Sequence, residues 1–352
     1  MHVYAPRGGP AVEAYRDFAQ IHVAPYERLM MPTSPRSFVA TARALARDVR
    51  TFRRLFRAAG IDTVICATTV TPGAALAARS LGLRCIVYCG ELFDDNGVGS
   101  RARRLASQAM LATVPRIADL VICCSDRVAA QFTTGARAEV VRLYPPIDRG
   151  GPAVEKAEAR AAFGLPPTGP LIATIGSLSP ARGQDVAISA LGLMPRGPGG
   201  AVLAIAGAVG DAASDATYAE SLRELAAASD LASDVYFLGA VDNVALLLDA
   251  ADVFVNPARF AEPFGRAALE ALARGVPPVV TRTGAQTELL RDGHSALVVP
   301  PEQPESLARA VERLLDSPAL AARLVEGGGD ALAEVDPEVD RSRFRQLLGD
   351  LG

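Results

Sequence analysis

Several residue types are scarce here, and each scarcity narrows the field. Tryptophan is absent and aromatics make up only 5% of the 352 residues. The basic residues are therefore not interleaved with stacking side chains, and no nucleic-acid partner is expected. Lysine is represented by Lys156 alone, every other basic residue being arginine, which reads as a compositional habit rather than a functional feature. No apolar run reaches the roughly 20 residues of a membrane span. The N-terminus also lacks the charged-then-apolar pattern of a secretory signal. The expectation is a soluble, cytoplasmic chain. The five cysteines, Cys66, Cys85, Cys89, Cys123 and Cys124, show no metal-ligand spacing. They lie in or beside apolar strand-like runs, as small buried hydrophobes do. The three histidines, His2, His22 and His294, are scattered near strand starts or in a turn and form no general-base constellation.

What is present is a chain long enough for two domains, half of it apolar. The net charge of −3 conceals an asymmetry: residues 1–150 hold 20 arginines against 12 acids, and the remainder holds 16 basic residues against 27 acids. A basic first half can face an anionic acceptor or a membrane surface, or can simply attract the acidic half.

Apolar runs of strand length alternate with helical patterns throughout, which predicts parallel sheets covered by helices. In the first half, strands are expected at 1–5, 21–24, 63–67, 85–89, 120–124 and 140–143. Helices are expected at 11–18, 38–59, 73–80, from about 98 to 117, and from about 126. The segment Tyr144-Pro145-Pro146-Ile147-Asp148-Arg149-Gly150-Gly151-Pro152 can continue neither a sheet nor a helix and marks a domain boundary. Beyond a short polar helix at 153–163, six strands follow, at 171–175, 202–206, 235–238, 253–255, 279–281 and 296–299. This is the pattern of a Rossmann-like domain.

The most informative stretch is Asn256 to Gly275, NPARFAEPFGRAALEALARG. A buried strand leads into a loop and then a helix, with Pro263 near its first turn and Gly275 just past its end. Glu262 and Glu270 bracket the helix start; between them Phe264, Gly265 and Arg266 offer backbone N–H groups, and Gly265 allows close approach. Such a terminus attracts anions. If the segment is helical, the two acids stand roughly 12 Å apart. That span suits a nucleotide sugar, with one acid at the sugar hydroxyls, the other at the ribose, and the diphosphate between. The bland alternative is a solvent-exposed acid pair on an amphipathic helix.

The string Glu262-Pro-Phe-Gly-Arg-Ala-Ala-Leu-Glu270 resembles the E-x7-E signature of the retaining family 4 (group 1) glycosyltransferases. That resemblance implies the GT-B fold: two Rossmann-like α/β domains facing across a cleft. It implies an acceptor-side domain at 1–148, a nucleotide-sugar domain at 149–335, and a last helix, 336–352, crossing back to the first domain. Residues 1–31 resemble the family's second βα unit better than its first, so the first unit is expected to be absent from the chain as given. The rival reading makes Gly8-Gly9 the family's Gly-rich loop on the acceptor side. Tyr88-Cys89-Gly90-Glu91 resembles a segment that often carries histidine where Cys89 stands, which makes Glu91 either an acceptor contact or a solvated acid.

In the second half, Gly176-Ser177-Leu178-Ser179-Pro180-Ala181-Arg182-Gly183 is similar to the family's diphosphate-binding turn. There Arg182 stands for one of two basic groups, and Ser177 occupies the place of the other. The donor set implied is Gly176, Ser177, Arg182, Gly207, Glu262, Pro263, Phe264, Gly265, Arg266 and Glu270, with Glu262 and Arg182 carrying the catalytic roles. The resemblance implies sugar transfer from a UDP- or GDP-type donor to a saccharide, lipid-linked or small-molecule acceptor, with retention at the anomeric carbon. The chain lacks an Asp-x-Asp signature, so no metal and no cofactor are expected. Peripheral contact with the inner face of a membrane would use the basic first half. Two other classes stay open: a nucleotide-sugar-binding protein without turnover, favoured by Ser177 and the absent first unit, and another GT-B activity such as epimerisation, disfavoured by the E-x7-E string.

Overall fold

The computed structural model describes residues 1–6, 9–17, 19–23, 35–93, 101–132, 137–197, 199–210 and 213–349. Two compact units result, one from residues up to Arg142, the other from Leu143–Gly352 with Ser125–Arg127. Gly8 lies outside the described residues, as does Val98, the expected helix start. No helix among the described residues is long and apolar enough to cross a membrane.

Among the described residues the first unit holds two sheets rather than one. Strands β1 (His2–Ala5) and β2 (Gln20–Val23) pair in parallel by themselves. Strands β3 (Thr63–Cys66), β4 (Arg84–Cys89), β5 (Leu120–Cys123) and β6 (Glu139–Arg142) form a separate parallel sheet in that order. β5 is buried along its whole length, as continuous apolar runs in parallel sheets are. β3 is an edge strand, and its Ile65 is 51% exposed. The expected helix at 11–18 is a single turn, Pro10–Glu13. The long helix runs Pro35–Ala58; its Phe52 and Phe56 are buried and meet the Tyr4 ring edge-on at 6.2 and 6.0 Å. All five cysteines are free and buried. Burial pushes the Cys123 thiol up to about 12 and raises Cys89 further, so neither is a thiolate near neutrality.

The second unit carries strands β7 (Leu171–Ile175), β8 (Val202–Ala206), β9 (Val235–Gly239), β10 (Val253–Asn256), β11 (Pro278–Thr281) and β12 (Leu297–Val299). All are parallel, in the order β12-β11-β10-β7-β8-β9. Counted from β7, the chain builds three strands outward to one side, then returns and builds three to the other. This is the doubly wound Rossmann order, with its switch point between β7 and β10. Ile172 pairs with both Val253 and Leu203, so β7 is hydrogen-bonded on both edges. Phe254, Ile188, Leu203, Ile205 and Leu222 are fully buried around it.

One buried cation ties the base of this sheet together. Arg160, on the Lys156–Ala162 helix, donates from Nε to the Ala250 carbonyl at 3.1 Å. Its Nη1 donates to the Gly169 carbonyl at 3.0 Å and its Nη2 to Asp252 at 2.8 Å. Asp252 also accepts from the Leu171 amide at 2.7 Å and from Lys156 at 2.5 Å. The entrances of β7 and β10 are thereby held to one helix. Arg274 does the same for the segment after Arg142: it pairs with buried Asp249 and donates to the Arg149 and Gly151 carbonyls at 3.0 and 2.7 Å. Replacing Arg160 with leucine strands the carbonyls of Ala250, Gly169 and Pro166, the last met by Nη1 at 3.3 Å, and part of Asp252. Stability is expected to fall by about 3 kcal/mol, the low end for breaking a buried pair, because Lys156 still serves Asp252. Urea unfolding should show a lower midpoint with an unchanged slope.

Candidate functional site

The loops that leave β7 and β10 diverge at the switch point, where doubly wound sheets hold their ligands. After β7 the chain passes Gly176 and Ser177, makes a 3-10 turn at Pro180–Arg182, and enters the Gln184–Leu193 helix. The Gly176 amide bonds the Ala206 carbonyl at 2.9 Å, which brings the ends of β7 and β8 together. Gly207 follows β8 so closely that a Cβ there would lie 1.9 Å from the Gly176 carbonyl oxygen. Ser177 is exposed.

After β10 the loop reaches Glu262, and the helix spans Arg266–Ala273. It therefore starts at Arg266, three residues later than the position of Pro263 suggests. Gly265 is the reason: it sits at φ 87°, ψ 42°, the left-handed region that a residue with a Cβ rarely adopts. Glu262 consequently lies in the loop, and the helical spacing between the two acids does not apply. No side chain caps the helix start, so its first amides have no side-chain acceptor. Phe264 turns inward, buried and stacked on Tyr144 with ring centroids 5.4 Å apart, so its ring is a support and only its backbone faces the site.

Each acid of the pair is met by an arginine. Arg182 donates from Nη1 to Glu262 Oε2; the Glu262 side chain is 10% exposed and that of Arg182 is 37% exposed. The Arg182 stem lies against Gly176. Arg266 donates from Nη2 to Glu270 Oε1 at 3.1 Å, with side chains 53% and 13% exposed. Burial of Glu270 raises its pKa; the Arg266 guanidinium opposes the shift and Asp148 adds like charge. Three of the four residues stand in the Glu262–Glu270 string and Arg182 in the Gly176–Gly183 turn. Their pairing, which joins the loops after β7 and β10 through Arg182 and Glu262, comes from the fold.

The structure adds residues that the motif does not mark. Gly284, in the loop after β11, leaves room for the Glu262 backbone: a Cβ there would lie 2.2 Å from the Glu262 carbonyl oxygen. The Ala285 amide donates to that carbonyl at 2.8 Å. Gln286 is buried; its Nε2 donates to the Thr281 carbonyl at 3.2 Å and to Thr283 Oγ1 at 3.1 Å, and its stem packs on Gly265. Gln184 is equally buried and donates to the Ser177 carbonyl at 3.1 Å. Both carboxamide oxygens lack a hydrogen-bond partner. Arg259 pins the β10 loop to the Gln184–Leu193 helix by gripping Asp185 with both terminal guanidinium nitrogens, and Tyr218 donates to the same carboxylate at 2.6 Å. These residues lie far apart in the chain, which is why no local pattern signals them.

In the first unit, Glu91 stands just beyond β4 with its carboxylate accepting from Thr68 Oγ1, from Thr69 Oγ1 at 3.1 Å and from the Gly90 amide at 3.1 Å. The Gln131 carboxamide donates to the Glu91 carbonyl at 3.0 Å. Gly9 accepts from the Val12 and Glu13 amides at 2.9 and 3.0 Å and so starts the short helical turn.

Glu270 has a testable pH signature. Its raised pKa means the folded state holds a proton that the unfolded chain releases at lower pH. Its contribution to stability is therefore fullest below the ordinary carboxylate range and declines as pH rises through the raised value. Glu270→Gln should remove that decline, so the stability difference between wild type and variant changes with pH in that window and is flat above it. Denaturant unfolding at a series of pH values measures this directly.

A sequence profile described as Glycosyl transferases group 1 matches residues 155–330, and one described as Glycosyltransferase Family 4 matches residues 1–150. The D-inositol 3-phosphate glycosyltransferase of Acidothermus cellulolyticus is 35% identical over 227 residues, 59% of this chain and 49% of that protein. The lipopolysaccharide core biosynthesis mannosyltransferase LpsB of Rhizobium meliloti is 30% identical over 218 residues, 59% of either chain. The chain spans about half the length of the D-inositol 3-phosphate glycosyltransferases it matches. Among solved structures, Anabaena HepE in complex with UDP and glucose superposes with a TM-score of 0.81 at 20% identity, covering 99% of this chain and 91% of that one. Sucrose-phosphate synthase from Thermosynechococcus elongatus does so with 0.76 at 20% identity, covering 99% and 94%. At that identity the likeness speaks for the fold, which is GT-B, with two Rossmann-like domains. With half of the chain matched by the family profile and a switch-point site built on its E-x7-E string, this protein belongs to the group 1 glycosyltransferases.

Proposed function

We propose that this chain transfers a sugar from a nucleotide-diphosphate sugar to an acceptor, with retention of anomeric configuration and without a metal. The observation that carries the reading is the Arg182–Glu262 pair at the switch point, beside an uncapped helix start. In the donor complex the diphosphate takes over Arg182 and lies against the amides at Gly265 and Arg266, a fixed clamp for the leaving group's charge. Arg182, so displaced, frees Glu262 to accept hydrogen bonds from the donor sugar. Glu270 holds the ribose hydroxyls, and Arg266 supplies the second cation that Ser177 does not. Gly176 and Gly207 permit close approach of the nucleotide. We assign the acceptor side to the first domain, where Glu91, held by Thr68 and Thr69, accepts from acceptor hydroxyls. Peripheral membrane contact through the basic first half belongs to the same reading. Ser177 favours a second one, a nucleotide-sugar-binding protein without turnover; donor binding with neither transfer nor hydrolysis would select it.

The exchange of partners at Arg182 makes a divided prediction. Glu262→Gln releases Arg182 and should strengthen binding of the free nucleoside diphosphate several-fold, while sugar transfer falls by about 10²–10³. Calorimetry with UDP and GDP, together with a transfer assay on matched nucleotide sugars, reads both quantities. Unchanged transfer in the variant would remove Glu262 from the reaction. NMR of the new glycosidic linkage tests retention, and activity in chelator tests metal independence.

A further inference from the structure

The Pro35–Ala58 helix carries seven arginines and one acid, Asp48, which is buried. Five of those arginines, Arg43, Arg47, Arg50, Arg54 and Arg57, are exposed. Their spacing of four, three, four and three residues places them within an arc of about 80° and along about 21 Å of helix. The opposite face, Phe52 and Phe56 with Asp48, is buried, so packing against Tyr4 fixes which side looks outward. Val39, 48% exposed, falls on the same arc. We propose that this arginine stripe docks the first domain on a lipid bilayer surface carrying anionic phosphate headgroups. The proposal rests on the peripheral-membrane part of the functional reading and names the surface that would perform it.

The shape and chemistry of the stripe favour this occupant. A compact phosphate or nucleotide can meet only one or two guanidinium groups of a straight row, whereas a flat headgroup plane meets Arg43, Arg50, Arg54 and Arg57 together, with Arg47, which pairs with Asp48 at 3.8 Å, beside them. Each guanidinium offers a planar fork matched to phosphate oxygens. The arc holds no aromatic side chain, so it lacks the stacking platform of single-stranded nucleic-acid sites. Attraction to an anionic leaflet contributes roughly five-fold in partitioning per basic side chain and is screened by salt.

The test is co-sedimentation of the purified chain with vesicles of phosphatidylcholine alone, or with about one third phosphatidylglycerol. Wild type should bind the mixed vesicles only, and less as salt rises. The quadruple variant R43E/R50E/R54E/R57E should lose at least 100-fold in partitioning, and its arginine-to-glutamine counterpart serves if the charge-reversed chain fails to fold. Both should melt like wild type and keep UDP or GDP binding by thermal shift, because none of the four residues belongs to the donor site. Absence of wild-type binding, equal binding to neutral vesicles, or undiminished binding of the variants overturns the proposal. So does tighter binding of an RNA oligonucleotide than of anionic vesicles, lost in the same variants. If vesicle binding behaves as expected while no nucleotide is bound, the donor reading fails and the docking surface stands; the converse result separates them the other way.

Discussion

Strand β7 is hydrogen-bonded along both edges, to β8 on one side and β10 on the other, and this double pairing organises the second domain. The chain leaves β7 towards one side of the sheet and returns to it from the opposite side. Loops after β7 and β10 must then part, and the crevice between them is a consequence of topology. Arg160 and Asp252 secure the far ends of the same two strands, so the sheet is stapled at the end opposite the switch-point loops.

Within that opening the electrostatics are arranged by exchange. Neither glutamate of the motif waits alone: Glu262 holds Arg182, and Glu270, pushed towards protonation by burial, holds Arg266. Isolated carboxylates at these depths would be costly, and the arginines offset that cost in the free protein. A guanidinium fork also matches phosphate oxygens, which is the basis of the exchange of partners proposed for Arg182. The supports lie one layer out, in Gly284 beneath the Glu262 backbone, Gln286 beneath Gly265 and Arg259 on Asp185.

The first domain was less legible. Its strands from β3 to β6 announce themselves as apolar runs of the right length, but the separation of β1 and β2 into their own sheet does not follow from their sequence. Pairing is a property of neighbours, and an apolar run looks the same beside one partner or two. The exposed Ile65 on the edge strand β3 is likewise invisible to a periodicity argument. The arginine row on the long helix is different: the amino-acid order alone sets its spacing, yet only burial of Phe52 and Phe56 shows which side faces outward.

From the amino-acid order alone came the fold class, the buried character of the cysteines and the motif from Glu262 to Glu270. All rest on short-range regularities: the alternation of apolar runs, proline and glycine where regular structure must stop, a fixed string of residues. The tertiary structure decided where the helix after β10 begins, because Gly265 enters the left-handed region against the pull of Pro263. It also decided that Arg182 and Glu262, eighty positions apart, form an ion pair, because strand order places their loops side by side. Distances across a sheet are set by which strands pair, and no local window of sequence contains that information.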